Sequence, residues 1–243
     1  MRTRVGSAVV VVVGLAWFAT VAAAPAGAIA QSDAAIADAG LVVQTDLPGG
    51  YEATPDDDDS SNLDKEAKQF PACRALAALS SATKKTKAKP TKAQSPDFEA
   101  VDNQVTSETS VYATETDATT VATMLEDPIL LRCLDPLMTV AMRQAMAETA
   151  KKLPKRQRKA AQRVAVDVAA LPGDGGSGAD DQATYRVTIQ LGILQGTPMY
   201  ADVVFVREGR ALGFYTFVSV GAPSTVETTV LPAVVGRLAA AQA

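Results

Sequence analysis

The sequence predicts an α+β fold: a twisted antiparallel β-sheet, a meander in its C-terminal third, covered on one face by helices that include a C-terminal amphipathic helix. Three observations carry this. Between Val164 and Val220 four apolar segments with period-two alternation follow one another through connections too short for parallel crossovers. Apolar stripes at helical spacing surround Cys73 and Cys133 and recur from Val226 to Leu238. Helical segments also precede and follow the strand run rather than alternating with it, which excludes a parallel α/β sheet.

Along the chain, Arg2 and Arg4 lead into an apolar run from Val9 to Phe18, followed by small residues through Ala22-Ala23-Ala24 and Ala26-Gly27-Ala28. That is the layout of a secretory signal peptide over residues 1–28, with cleavage expected after Ala28 or Ala30 because Pro25 disfavours the Ala24 site. The run is shorter than the roughly 20 residues that span a bilayer, so no stable transmembrane segment is expected after processing, the alternative being an uncleaved anchor. The expected product is one secreted, extracytoplasmic domain over residues 29–243, located in the cell envelope. Removing residues 1–28 takes away two of 23 basic residues and none of 27 acids, so the net charge falls from −4 to −6. An acidic exported chain is a poor nucleic-acid binder, and no nucleic-acid partner is expected.

Histidine is absent, which excludes Ser-His-Asp and Cys-His nucleophiles and two-histidine zinc motifs. Carboxylate pairs, Ser-Lys dyads and calcium sites survive that filter; no cofactor or metal is expected. The two cysteines, Cys73 and Cys133, lie on helical stripes without a Cys-x-x-Cys motif, so in an oxidising compartment they are expected to pair.

Ser32 to Val43 reads as a short helix, and Thr45-Asp46-Leu47-Pro48-Gly49-Gly50-Tyr51 as a turn entering a brief strand. Mobile loops are expected near residues 55–64, 84–96 and 173–182, the second because Lys84 to Lys92 holds five lysines and a proline. Phe70 to Leu79 is helical in pattern, and Glu99 to Ala113, with Val101, Val105 and Val111, resembles a long edge strand. Asp117 to Glu126 and the stretch after Pro128 are helices, the second with Leu130, Cys133, Leu134, Leu137, Met138, Ala141 and Ala145 inward and a kink or restart at Pro136. Lys151 to Lys159 is a second basic cluster. Strands then run through Val164 to Val168, Tyr185 to Ile193, Met199 to Val206 and Ala211 to Val220, the last two joined at Glu208-Gly209.

Two stretches carry residue types used in catalysis or metal binding. Gly175-Gly176-Ser177-Gly178-Ala179 nearly matches a nucleophile elbow but has alanine at the last position, no following helix and no histidine to activate Ser177. Asp174, Asp180 and Asp181 sit together and read as an acidic turn or a calcium ligand set. The binding expectation rests on the sheet face opposite Tyr185, Val187, Ile189 and Leu191. There Arg186 and Gln190, with Tyr200 and Asp202 and then Tyr215 and Phe217 from the neighbouring strands, compose a candidate ligand surface.

In chain order, Asp46-Leu47-Pro48-Gly49-Gly50-Tyr51, Phe70-Pro71-Ala72-Cys73, Asp127-Pro128 with Cys133-Leu134, and Val206-Arg207-Glu208-Gly209-Arg210 before a terminal amphipathic helix resemble the actinobacterial PknH-like extracellular sensor domain family. The resemblance implies a sheet packed on helices, a ligand-binding cleft and no catalysis. The family often has four cysteines, whereas Cys73 and Cys133 stand alone here, and the sequence carries no kinase domain, so sensing would pass through a separate partner. The expected function is a non-enzymatic binding or sensor-like module of the envelope with an unidentified ligand or partner protein, its basic loops offering a second contact for an anionic envelope polymer. The competing readings are a histidine-free hydrolase or transferase using carboxylates such as Asp167, Asp202 or Glu208, and a purely structural envelope protein.

Overall fold

A computed structural model describes residues 28–54, 67, 69–74, 89–172 and 177–243. Residues 1–27 of the proposed signal peptide, the acidic run of 55–64, residues 75–79 of the helix expected from Phe70, the lysines of 84–88 and the glycine-rich 173–176 lie outside the described residues. Among the described residues eight strands form one sheet: β1 (Glu52–Thr54), β2 (Thr91–Gln94), β3 (Asp97–Glu99), β4 (Asn103–Val111), β5 (Val164–Leu171), β6 (Asp181–Leu191), β7 (Pro198–Glu208) and β8 (Ala211–Val220). The order is β1-β3-β4-β8-β7-β6-β5, with β2 also on β4, and every pairing is antiparallel. The predicted meander is thus β5 to β8, and β4 joins it against β8.

Among the described residues five α-helices of seven residues or more accompany the sheet: α1 (Ala28–Ala39), α2 (Glu115–Glu126), α3 (Pro128–Lys152), α4 (Lys155–Ala161) and α5 (Glu227–Gln242). Thr114 caps α2 by accepting the Asp117 N–H at 3.1 Å. Asp127 caps α3 by accepting the Ile129 N–H at 2.8 Å, with Pro128 in the first turn, where its missing N–H costs nothing. The stripe read from the sequence is buried in α3 except for the half-buried Ala145, and it extends through Met142, Met146 and Ala150. No restart occurs at Pro136: α3 is one element from Pro128 to Lys152. Proline deletes a single ladder bond, and the packed stripe on either side of it holds the helix together.

Helices cover both faces of the sheet, not one. Tyr185, Val187, Ile189 and Leu191 of β6 and Met199, Ala201, Val203 and Phe205 of β7 pack under α3. On the opposite face Val204 and Val206 of β7 and Tyr215 and Phe217 of β8 pack under α1 and α5, against Val230, Leu231, Val234, Val235 and Leu238. β7 and β8 are buried on both rows, which erases the alternation that would reveal a solvent face.

Two further expectations change. Residues 91–94, placed in a mobile loop, form β2, held by pairing from Thr91↔Val111 to Gln94↔Glu108 and by Lys92 to Glu108 at 2.7 Å. The strand expected at an edge, β4, lies between β8 and β2/β3, and its valine pattern is interrupted because Val101 is 89% exposed in the preceding turn. Ser107 explains the polar inner row of β4: its hydroxyl accepts the Val42 N–H at 2.9 Å, and its N–H donates to Ser95 Oγ at 3.1 Å.

Cys73 and Cys133 form the expected disulfide, with Cα atoms 4.7 Å apart, tying the helical turn of 71–74 to α3. The terminal helix is anchored twice. Arg237 makes a two-pronged contact with Asp46 at 2.7 and 2.8 Å and donates to the Leu41 and Ala39 carbonyls. Gln242 donates to Glu208 O at 2.9 Å and accepts the Arg210 N–H at 3.0 Å, gripping the β7–β8 turn. Gly209 there has φ +53°, which favours glycine, and a Cβ would stand 2.6 Å from Gln242 Oε1 and push the gripping amide aside.

Candidate functional site

The predicted ligand surface divides into two parts. Arg186 and Asp202 are register partners on β6 and β7, so their side chains emerge side by side. Arg186 Nε and Nη2 donate to Asp202 Oδ1 and Oδ2 at 2.6 and 2.8 Å. Asp202 is fully buried, and the guanidinium lies 5.9 Å from the Tyr200 ring centroid. Hydrogen bonding to Asp202 pushes the Arg186 pKa up, partly opposed by burial. The pair is therefore a charge-compensated strut with one half-exposed side. Gln190 is exposed, and Thr188 and Tyr200 are half-buried, among exposed Ala165, Asp167 and Ala169. Around the strut the β5 side of that patch offers only alanines and Asp167.

Tyr215 and Phe217 do not belong to it. Both are fully buried beneath α1 and α5. The Tyr215 hydroxyl donates to Gly40 O at 2.9 Å, and burial raises its pKa. Gly40 must be glycine, because a Cβ would come within 2.5 Å of Thr109 Oγ1. The two aromatics join the end of α1 to the sheet and cannot meet a ligand. The row read as inward does face α3 through Phe214, Val218 and Val220; what the sequence did not show is that the opposite row is covered as well.

The remaining candidate carboxylates serve arginines or solvent. Arg207, 7% exposed, bonds Asp181 through Nε and Asp180 Oδ2 at 3.1 Å through Nη1, with Glu115 at 3.5 Å. Asp180 also accepts the Gly209 N–H at 2.8 Å. The acidic turn is thus tied to the β7–β8 hairpin, and residues 181–182 of the expected loop already belong to β6. Burial raises the Glu208 pKa. Asp167 is exposed on β5. Ser177 donates to Gln182 Oε1 at 2.6 Å, as a turn residue would. Among the described residues no group of three or more Cys, Asp or Glu is placed to hold a metal ion.

A hollow of about 510 Å³ runs along α2 beside Glu115, Thr116, Thr119, Thr120, Thr123 and Met124. Thr120 and Thr123 already donate their hydroxyls to the Thr116 and Thr119 carbonyls at 2.7 and 2.9 Å, leaving little directed chemistry.

The corner where α3 ends, α4 follows and β5 begins is different. Lys151, Lys152, Lys155, Arg156, Arg158, Lys159 and Arg163 are all exposed, with no acid from 149 to 166. Only Ala161 of α4 is buried, and Gly192 packs under the Ala160 carbonyl, leaving no room for a Cβ. Arg158 donates to Leu153 O at 3.0 Å and Lys151 O at 3.4 Å, capping the end of α3, where the helix dipole favours a cation. Among the described residues Lys151 alone of the seven has an ion-pair partner, Glu148. The sequence marked the cluster from Lys151 to Lys159 but could not show that α4 turns it outward or that Arg163 extends it.

These features define an α+β protein with a helix-covered antiparallel sheet, a cross-linking disulfide and a cationic corner. No family model matches the chain, and no curated protein matches it. Among solved structures, the extracellular domain of PknH from Mycobacterium tuberculosis is similar at 9% identity and a TM-score of 0.39, over 83% of this chain and 94% of that one. A likeness of that degree says nothing about what this chain binds. No helix among the described residues is long and apolar enough to cross a membrane.

Proposed function

We propose that this chain is a non-enzymatic, extracytoplasmic binding module that recognises a polyanionic polymer of the cell envelope through its cationic corner. The supporting observation is the density of exposed positive charge: seven Lys and Arg within residues 151–163, on a chain whose net charge is −4. Packing accounts for Arg158, which caps α3; Lys155, Arg156 and Lys159 project from a helix that buries one alanine, with Lys151 and Lys152 at the end of α3 and Arg163 just before β5. A concentrated cationic patch on an acidic body attracts a flexible polyanion while the rest of the surface repels it, which fixes the orientation of docking. Asp202, Asp181 and Asp46 each neutralise an arginine, an arrangement that suits struts better than acid–base pairs.

The test is a titration of fluorescently labelled polyphosphate with the oxidised protein, followed by anisotropy at several salt concentrations. The expected result is binding that weakens steeply with salt and falls at least about tenfold in the triple variant Lys155→Glu, Arg156→Glu, Lys159→Glu. Equal affinity of the triple variant, or no binding at low salt, overturns the reading.

A further inference from the structure

Beyond that binding role, we infer that the outer edge of β5 is a homodimer interface, at which a second copy of this chain adds its own β5 in antiparallel orientation. β5 ends the sheet order and pairs on one side only, with β6 from Val164↔Leu191 to Leu171↔Thr184. The Gly192 N–H donates to Arg163 O at 2.9 Å, so residues 163 and 192 are a hydrogen-bonded pair. Alternation along the antiparallel ladder then turns the backbone groups of 165, 167, 169 and 171 towards β6. Those of Val164, Val166, Val168 and Ala170 point outward, and among the described residues no strand pairs with that side.

The edges differ in protection. At the other end of the sheet β1 has three residues and β2 four, with Glu52 and Lys92 on them. β5 presents eight residues whose single charge is Asp167, with no proline and no lysine. Exposed edges of that length are ordinarily blunted because they template pairing with another chain. Val164, Val166 and Val168 remain only half-buried beside α3, an apolar rim that a further strand would cover.

A second copy fits better than an unrelated strand because the edge is self-complementary. A two-fold axis at Val168 opposes Val166 to Ala170, Ala165 to Leu171 and Asp167 to Ala169. It keeps every valine on the α3 side and avoids placing Asp167 against itself. It also sets the two cationic stretches ending at Arg163 at opposite ends of the pair, so that like charges do not face each other across the axis.

Sedimentation equilibrium of the intact oxidised protein, without polyanion, tests this. Wild type is expected to show a monomer–dimer equilibrium. Ala169→Asp sets an acid opposite Asp167 twice per dimer and should weaken association about tenfold, while Ala169→Lys should tighten it. Ala170→Pro removes one outward N–H from each copy and leaves the ladder to β6 intact, so about 30-fold weakening is expected. Circular dichroism confirms that each variant is folded, and the opposite responses of Ala169→Asp and Ala169→Lys separate edge pairing from misfolding. A monomer at millimolar concentration, or a dimer indifferent to all three substitutions, overturns the inference.

Discussion

Phe217→Ala separates the two roles that the sequence and the structure give this side chain. Phe217 is fully buried on β8 opposite Val105 of β4, in the cluster that joins α1, α5 and the sheet. Truncating an enclosed phenylalanine removes its transfer free energy and leaves a cavity that a sheet clamped by helices on both sides closes poorly. The expected cost is about 3–5 kcal/mol. For a domain of this size that lowers Tm by roughly 6–20 °C. An exposed aromatic on an open binding face would cost within about 0.5 kcal/mol. Urea unfolding of the oxidised protein, followed by far-ultraviolet circular dichroism, gives the difference from the midpoint and slope. Tyr215→Phe is the companion variant: it removes the hydrogen bond to Gly40 O and leaves that carbonyl short of a donor, for a loss of about 1–2 kcal/mol. A loss below about 1 kcal/mol for Phe217→Ala, with the slope unchanged, would refute the placement of β8 between two helical layers.

Reducing the Cys73–Cys133 bond, or replacing both cysteines with serine, should destabilise the fold by about 4 kcal/mol in the chain-entropy model for its separation of 60 residues, seen as a lower urea midpoint. Burial pushes Tyr112 and Tyr185 up to about 12, with Glu108 and Asp117 adding to the shift at Tyr112, and Glu126 and Asp127 at Tyr185. The folded chain therefore keeps protons that the unfolded chain releases near pH 10. Stability from these groups is complete below pH 10 and falls as pH rises towards 12, the sign required when the native state binds more protons. Ultraviolet titration should show tyrosines ionising late and together with unfolding; ionisation of all five near pH 10 in the folded protein would contradict it.

The meander, the helical stripe of α3, the terminal helix and the disulfide partners were legible because each depends on local periodicity or on chemistry with few alternatives. The β7–β8 turn was legible through Gly209. What the sequence could not resolve was which face a doubly buried strand presents to which helix. Phe214 and Tyr215 are equally apolar in pattern, yet one packs towards α3 and the other under α5. β2 was hidden because Thr91 to Gln94 has no apolar alternation and gains its strand state from pairing with β4. Of the proposed ligand residues, Arg186, Tyr200, Asp202 and Gln190 do lie on one face, because register partners on adjacent strands follow from alternation. That Asp202 would consume the charge of Arg186 depends on the cross-strand register, which a single sequence does not encode.

The most direct test of the central claim is an amide chemical-shift titration of the folded, oxidised protein with polyphosphate. The account predicts shifts concentrated in residues 151–163, with the sheet face around Arg186, Thr188, Gln190 and Tyr200 unmoved. Shifts confined to that face, with the amides of 151–163 silent, would contradict it.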